Sequence, residues 1–270
     1  MASITAENIW TDLQTIREKS PVIHNITNYV AMNNTANALL AIGASPVMAH
    51  AQEEVEEMVS LASAVVLNIG TLSNQWVNAM FKAAGTASEK GIPVVLDPVG
   101  AGATSYRTQT ARELIKAFPP AIIRGNASEV MALLDTVAKT KGVDSLASSE
   151  EAIAMGGKLH AQCGAVVCIS GVTDYIIGNA GIVLTRNGCP MMARVTGLGC
   201  TASALCGALT AVNSDLQTAA AEAMAVMGIA GEIAFSQSRG PGSLQVNFLD
   251  TLYRLSAEDI ARFLKIEAGK

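Results

Sequence analysis

Short apolar segments alternate with longer helix-like segments along the first two thirds of the chain. Two of the apolar segments, residues 92–96 and 165–169, carry an apolar side chain at every position. Strands of this kind are typical of parallel sheets whose two faces are both covered by helices. The pattern therefore predicts an α/β fold with a mostly parallel central sheet. The predicted strands are residues 21–26, 64–69, 92–99, 121–123 and 165–169.

The pattern changes after residue 170. Residues 174–179 and 181–188 read as short strands joined by turn residues, which predicts antiparallel strands at one edge of the sheet. Beyond them the chain is helical and rich in alanine, and its last helix starts at Ser256 with Asp259 three residues on, a capping pattern. Because no linker interrupts the alternation, residues 1–270 are predicted to form a single domain. The late helical segments are residues 201–212, 216–238, 244–255 and 256–266.

Composition and charge argue against several classes of protein. The net charge is −5 and the basic residues are scattered, so no basic stripe predicts binding to nucleic acid. Glu222 and Glu232 interrupt the most apolar stretches, which leaves them short of the roughly 20 apolar residues of a membrane-spanning helix. The first residues lack the pattern of a secretory signal, so we expect a cytoplasmic protein. Five cysteines without a C-x-x-C pair indicate free thiols and neither disulfides nor zinc.

A glycine turn at residues 195–200 leads directly into a helical segment. Gly197 and Gly199 let the backbone bend and approach a ligand. The first amides of a helix lack partners within the helix and carry the positive end of its dipole, so they suit a phosphate group. The same glycines also suit a tight connection that binds nothing, and the turn alone leaves both interpretations open. The sequence contains no G-x-x-x-x-G-K-[ST] motif and is therefore not a P-loop enzyme.

Charged side chains at the ends of two predicted strands favour a phosphate site. Ligands of doubly wound sheets bind at the carboxyl ends of the strands, where Asp97, Arg124 and Glu129 are predicted to emerge. Asp97 and Glu129 supply the hard oxygen ligands that Mg²⁺ uses, in part through water, and Arg124 suits phosphate oxygens. Taken alone, Asp97 equally suits the role of a turn cap. Together these groups match phosphoryl transfer, which depends on positioning and charge neutralisation.

The order of these segments resembles that of ribokinase-like kinases. Residues 97–100, 126–129 and 195–200 occur in the same succession as in that group. Within it, the chain resembles the hydroxyethylthiazole kinase family. The more specific motifs are His-Asn-Ile-Thr-Asn-Tyr-Val at 24–30, Gly-Ala-Ser-Pro-Val-Met at 43–48, Leu-Asn-Ile-Gly-Thr-Leu at 67–72 and the cysteine that ends the glycine turn.

The resemblance covers nearly the whole chain and implies a three-layer α/β/α fold of the ribokinase-like type. It also implies Mg²⁺-dependent transfer of phosphate from ATP to the hydroxyl of 4-methyl-5-(2-hydroxyethyl)thiazole, a thiamine salvage step, in a homotrimer with sites near the subunit interfaces. By resemblance, Arg124 and Ser170 bind ATP, Met48 and Gly197 bind the thiazole, and Cys200 occupies the catalytic position. We add Asn126 to the ATP site, Asn28 to the substrate site, Gly197 and Gly199 to the catalytic turn, and Asp97 and Glu129 as Mg²⁺ ligands.

Cys200 stands where most ribokinase-like enzymes have an aspartate that accepts the proton of the attacking hydroxyl. A free thiol has a pKa of about 8.5, and a helix N-terminus lowers it, so we expect some thiolate at neutral pH. We expect Cys200 to orient the hydroxyl and to contribute modestly to the rate. One alternative is a cysteine nucleophile activated by His24 for acyl chemistry, and another is a small side chain that only fills space.

Three further questions stay open at this level. The chain could bind a small heterocycle without turning it over, or phosphorylate a pyridoxal-type or hydroxymethylpyrimidine-type alcohol. Val30 and Pro46 lie near the predicted substrate residues, but they fit a core better than a pocket. The polar segment 136–149 is either a lid or an ordinary surface loop.

Overall fold

The structure is a computed structural model that describes residues 4–134 and 149–269. Within this part of the chain, nine strands form one sheet in the order β2-β1-β3-β4-β5-β6-β7-β8-β9. The strands are β1 (Val22–Ile26), β2 (Ser45–Val47), β3 (Ala64–Asn68), β4 (Val94–Asp97), β5 (Ile122–Asn126), β6 (Val166–Ser170), β7 (Asp174–Gly178), β8 (Gly181–Thr185) and β9 (Ile266–Ala268).

Helices cover both faces of this sheet. The helices are α1 (Ala6–Lys19), α2 (Met32–Ile42), α3 (Val55–Leu61), α4 (Asn74–Lys90), α5 (Ser105–Ala117), α6 (Ala127–Leu133), α7 (Ser149–Cys163), α8 (Leu198–Thr210), α9 (Leu216–Ser236), α10 (Pro241–Arg254) and α11 (Ala257–Phe263). A short 3₁₀ helix, Pro190–Arg194, precedes the glycine turn. Helices α1, α2 and α8 to α11 build one apolar core, and α3 to α7 build the other. The predicted three-layer architecture is confirmed.

The pairing of the strands places their ends together. Strands β2, β1, β3, β4, β5 and β6 pair in parallel, so their carboxyl ends meet at one edge. Strands β6 to β9 pair antiparallel, as predicted for the β7 and β8 segments. The parallel register sets Asn68 of β3 opposite Asp97 of β4 and Asn126 of β5 opposite Ser170 of β6. Polar side chains from four strands are therefore close neighbours.

Small residues allow α8 to lie very close to the sheet. Nearly every side chain of this helix from Thr201 to Thr210 is buried. A Cβ atom on Gly207 would lie 2.8 Å from Cγ2 of Val66 in β3, so any larger residue would push the helix away. The alanines and glycine of this segment therefore set the height of α8 above the strand ends.

The edges of the sheet differ from the prediction. Strands β2 and β9 were not predicted, because three-residue segments such as Ser45–Val47 carry neither an apolar run nor an alternating pattern. The prediction that the last helix extends to Ile266 is wrong. Helix α11 begins after its Ser256 cap, as predicted, but ends at Phe263, and Ile266 pairs in β9. Of the predicted excursion 136–149, Ser149 opens α7 and the rest lies outside the described residues.

Helix α9 is a long apolar helix that packs against α8, α10 and α11. By length and composition alone it could cross a membrane, but 78% of its apolar window is buried inside the fold, as in a core helix. It carries one buried acid, Glu222, whose side chain is fully shielded from solvent. Desolvation, reinforced by the nearby Asp12 carboxylate, raises the pKa of Glu222 to about 9. The native protein therefore holds a neutral carboxyl group here at neutral pH.

We predict that Glu222→Gln makes the protein more stable at alkaline pH. Native Glu222 keeps its proton to about pH 9, whereas the unfolded side chain loses it near 4.5. The native state binds more protons in this window, so the free energy of unfolding falls as pH rises through it. Glutamine abolishes that loss, and the difference in Tm between variant and wild type should grow from pH 5 to pH 8.5. It should exceed about 2 °C, since 1 kcal/mol shifts the Tm of a domain this size by roughly 2–4 °C.

Thermal unfolding followed by circular dichroism measures this difference. The matched control is Glu57→Gln on the exposed surface of α3. Parallel Tm profiles for Glu222→Gln and wild type would contradict the prediction.

Candidate active site

The carboxyl edge of the sheet gathers polar side chains on the face covered by α8. Each of the side chains Asn68, Asp97 and Arg124 lies two positions after an apolar residue in the same strand. Those apolar residues, Val66, Val95 and Ile122, belong to the core that includes α8. Because side chains alternate along a strand, all three point toward α8. The prediction that Asp97 and Arg124 emerge at the same edge is confirmed.

A chain of hydrogen bonds connects this edge to α8. Asn28, which follows β1, donates through Nδ2 to Oδ1 of Asn68 at 2.9 Å. Asn68 donates through Nδ2 to Oδ2 of Asp97 at 2.7 Å, and the hydroxyl of Ser203 in α8 donates to the same oxygen at 2.8 Å. All four side chains are buried. Asn28 and Asp97 were predicted as site residues, whereas Asn68 and Ser203 were not.

The electrostatic environment of Asp97 is that of a buried carboxylate with charged neighbours. Desolvation raises its pKa to about 7, Arg124 counteracts this shift, and Glu129 adds to it. Glu129 is itself anchored, because its Oε1 accepts from the backbone N–H of Gly100 and its Oε2 from that of Asn126, both at 2.8 Å. Two carboxylates thus lie near each other beside Arg124. A bound cation would relieve their repulsion.

Asn126 has a local structural role in addition to its predicted one. Its Oδ1 accepts the backbone N–H of Glu129 at 2.9 Å and the hydroxyl of Ser128 at 2.7 Å, which caps the N-terminus of α6. The carboxylate of Glu129 completes the capping box from the other side. The side chain of Asn126 is exposed, so its amide group stays accessible to a ligand.

The glycine turn forms the start of α8. Gly197 is the N-cap and has a φ of 84°, a left-handed conformation that favours glycine. Gly199 and Cys200 lie in the first turn of the helix, where the backbone N–H groups point outward without helical partners. Nη1 of Arg124 donates to the carbonyl of Gly199 at 3.0 Å, which ties β5 to the helix start. Asp97 and other neighbours outweigh the effect of burial and raise the pKa of Arg124, which therefore stays charged.

A cavity of about 440 Å³ opens beside the helix start. Arg124, Ser170 and Gly199 line it on one side, and methionines of α9 and the 3₁₀ helix line it on the other. Nε of Arg124 is buried and has no hydrogen-bond partner within the described residues. The cavity also contains Asp174 of β7, which the sequence analysis missed, and burial raises the pKa of Asp174 to about 6. An arginine, backbone amides and apolar walls suit a ligand with both a phosphate and a flat ring.

Cys200 is a protonated thiol, which corrects the expectation of a partly ionised one. Desolvation and the charge of Asp97 raise its pKa to about 11, although hydrogen bonds from amide groups and the charge of Arg124 oppose the shift. The Nδ2 group of Asn28 donates to Sγ at 3.2 Å. At neutral pH the thiol form therefore predominates, and little thiolate is present to accept a proton. Cys206, six residues further along α8, is fully buried and fills space in the core.

The cysteine-nucleophile alternative finds no geometric support. His24 donates through Nε2 to the carbonyl of Ala49 at 2.7 Å, and the partner of Cys200 is Asn28. His50 and His160 likewise hydrogen-bond backbone carbonyls, so all three histidines have structural roles.

The predicted substrate residues lie at the outer part of the same edge. Met48 directly follows β2 and is half-buried, as is Pro46 within β2. The interpretation of Val30 as a core residue is wrong, because 59% of it is exposed. Tyr29 beside it is 67% exposed and packs on Trp76, with 5.0 Å between ring centroids. Exposed apolar groups therefore flank Asn28.

Comparison with solved structures defines the class of protein. A ribokinase-like superfamily protein from Enterococcus faecalis matches with a TM-score of 0.65 at 13% identity, over 97% of this chain and 91% of that one. This likeness, together with the sheet order and the glycine turn at a helix start, shows the ribokinase-like fold. The fold expected from the resemblance is confirmed.

Closer relatives define the family. The model of the hydroxyethylthiazole kinase family matches residues 13–258. Hydroxyethylthiazole kinase of Syntrophus aciditrophicus is 63% identical over 269 residues, 99% of each chain. The structure of a hydroxyethylthiazole kinase protein from Pyrococcus horikoshii matches with a TM-score of 0.91 at 41% identity, over 98% of this chain and 100% of that one. This chain belongs to the hydroxyethylthiazole kinase family.

We predict that Gly197→Ala lowers kcat/KM markedly but lowers the stability of the fold only modestly. Alanine in a left-handed conformation costs about 1–2 kcal/mol, which lowers Tm by a few degrees. To relieve this strain, the turn shifts the backbone N–H groups of Gly199 and Cys200. A misplaced N–H donor at this position costs about 10-fold or more in kcat/KM. Steady-state kinetics and thermal unfolding measure the two effects.

Gly91→Ala is the matched control. Gly91 also has a left-handed φ, of 67°, and open space around its Cβ position, and it is far from the glycine turn in sequence. It should lower Tm to a similar degree and leave kcat/KM unchanged. Equal kinetic losses in the two variants would contradict the assignment of the turn.

Proposed function

We propose that this protein transfers the γ-phosphate of ATP to the hydroxyl of 4-methyl-5-(2-hydroxyethyl)thiazole, a salvage step toward thiamine. The observation that carries this proposal is the glycine-capped start of α8, which lies against Arg124 and above Asp97 beside a cavity of about 440 Å³. The names of relatives that are 63% and 56% identical over nearly their full length support the choice of substrate.

The chain itself supplies several groups that can stabilise negative charge on the phosphate. Backbone N–H groups at the start of α8, among them those of Gly199 and Cys200, bind the oxygens of the transferring phosphoryl group. Arg124 already bonds the Gly199 carbonyl through Nη1 and offers its remaining N–H groups to phosphate oxygens. Arg124, Asn126 and Ser170 bind ATP, whose base occupies the apolar part of the cavity.

Asp97 and Glu129 fit Mg²⁺. Both offer carboxylate oxygens, and within the described residues both hydrogen bonds to Asp97 end on Oδ2, which leaves Oδ1 for a metal-bound water. The repulsion between these acids also favours a cation. Mg²⁺ held by these residues would neutralise charge on the phosphates of ATP.

The thiazole alcohol binds between Asn28, Met48 and Gly197, with its hydroxyl at Cys200. Asn28 and Cys200 share a hydrogen bond at the inner end of this region, and Met48 offers a polarisable surface to the ring. The exposed Tyr29 and Val30 support a homotrimer in which a neighbouring subunit covers this side of the site. A cytoplasmic location is part of the proposal, and the free cysteines support it.

Product analysis tests the proposed reaction. Purified protein is incubated with Mg-ATP and hydroxyethylthiazole, pyridoxal or hydroxymethylpyrimidine, and phosphate monoesters are detected by mass spectrometry. We expect the hydroxyethylthiazole phosphate as the main product, with none when ATP is omitted. Preferential phosphorylation of another alcohol would replace the proposed substrate, and binding without product would support sequestration.

We predict that Cys200→Ala slows turnover without abolishing it. A neutral thiol contributes orientation but no base catalysis, so kcat should fall by only about 10-fold, less than the 10²–10⁴ typical of a lost general base. Cys200→Asp should match or exceed the wild-type kcat, because a carboxylate accepts the proton directly. Steady-state kinetics with circular dichroism as a folding control measure both. Complete loss of turnover in folded Cys200→Ala would contradict this view of the thiol.

A further inference from the structure

The orientation of the amide of Asn68 is fixed by its neighbours on both sides. A backbone N–H can only donate, so Oδ1 of Asn68 must face the N–H of Gly70, and its Nδ2 group then faces Oδ2 of Asp97 at 2.7 Å. Its Oδ1 then faces Asn28 and also accepts the backbone N–H of Gly70 at 3.0 Å. If the amide of Asn68 were flipped, the hydrogen bonds that Oδ1 accepts from Asn28 and Gly70 would be lost. Asn68 therefore presents an oxygen to Asn28.

The same reasoning fixes Asn28. Its Oδ1 accepts the backbone N–H of Ala31 at 3.0 Å, and its Nδ2 donates to Oδ1 of Asn68 at 2.9 Å. The second N–H of Nδ2 therefore has only one direction left, and Sγ of Cys200 lies there at 3.2 Å. The sulfur is the acceptor of this bond. Its own proton therefore points away from Asn28 and is not used in this bond.

We propose that Asn68 is a positioning residue for the transfer reaction: it holds the amide of Asn28 so that an N–H group faces Cys200 and leaves the thiol proton to orient the substrate hydroxyl. Asn68 is 1% exposed. It acts on Cys200 mainly through Asn28, and its own amide group adds a smaller direct interaction with the thiol. The kinetic consequence rests on the proposed function, whereas the hydrogen bond to the sulfur does not depend on turnover. The two are therefore tested separately.

A double-mutant cycle tests the kinetic consequence. Asn68→Ala should lower kcat about 3- to 10-fold and change KM for ATP by less than about 2-fold, because the loss is transmitted through Cys200. In a Cys200→Ala background the same substitution should change kcat by less than about 2-fold, since its target is gone. Independent, multiplying losses in the double variant would overturn the proposal.

The reactivity of Cys200 tests the hydrogen bond without any turnover. Alkylation by iodoacetamide between pH 8 and pH 10 is followed at Cys200 by mass spectrometry of peptides. The N–H of Asn28 stabilises the thiolate, so Asn68→Ala should slow alkylation about 3-fold or more. A merely structural loosening would expose the thiol and speed alkylation, and that result, or an unchanged rate, would overturn the proposal.

Two variants serve as controls. Ser203→Ala removes the other donor to Asp97 but leaves the Asn68–Asn28 bond in place, so alkylation of Cys200 should stay within about 2-fold of wild type. Asn37→Ala makes the same chemical change as Asn68→Ala on the exposed side of α2 and controls for expression and folding. If Asn68→Ala does not fold, Asn68→Ser keeps a polar group in its place and carries the same expected results.

If wild-type protein fails to phosphorylate hydroxyethylthiazole while Asn68→Ala still slows alkylation, the proposed function is wrong and the positioning of Cys200 stands. If wild type turns over but the alkylation rate of Asn68→Ala matches it, the positioning role is wrong and the proposed function stands.

Discussion

The site depends on one buried carboxylate, that of Asp97 at the end of β4. A charge that is 1% exposed is costly unless neighbouring groups stabilise it. Asn68 and Ser203 donate hydrogen bonds to it and Arg124 supplies the opposite charge. Because each of these groups comes from a different element, satisfying Asp97 fixes β3, β5 and α8 relative to β4.

The short distance between α8 and the sheet makes these interactions possible. Gly207 lets the helix lie against Val66, and Ser203 one turn closer to the N-terminus then reaches Asp97. At the start of the same helix, Gly199 comes within reach of Arg124. The small residues of α8, which the sequence shows only as part of an alanine-rich helical region, therefore also determine where the backbone amides of the helix start lie.

The central strands and the location of the site could be predicted from the sequence. Fully apolar runs identify buried parallel strands, and parallel strands bring their carboxyl ends to one edge, so Asp97 and Arg124 were expected together. The edge strands could not be predicted, because Ser45–Val47 is too short to show a pattern. Asn68 and Ser203 carry no spacing signal, since their role depends on partners 29 and 106 residues away in sequence. The protonation of Cys200 also escaped prediction, because it depends on burial and on the nearby charge of Asp97, which the sequence does not display.

The two outermost strands of the sheet have a consequence for solubility. An exposed edge strand offers unpaired N–H and C=O groups to other chains and invites aggregation. Here both margins are only three residues long. Pro46 in β2 removes a backbone donor at one margin, and Glu267 in β9 places a charge at the other. These strands are too short to be predicted from the sequence. Their short length also protects the nine-stranded sheet from pairing edge to edge with other copies of the chain.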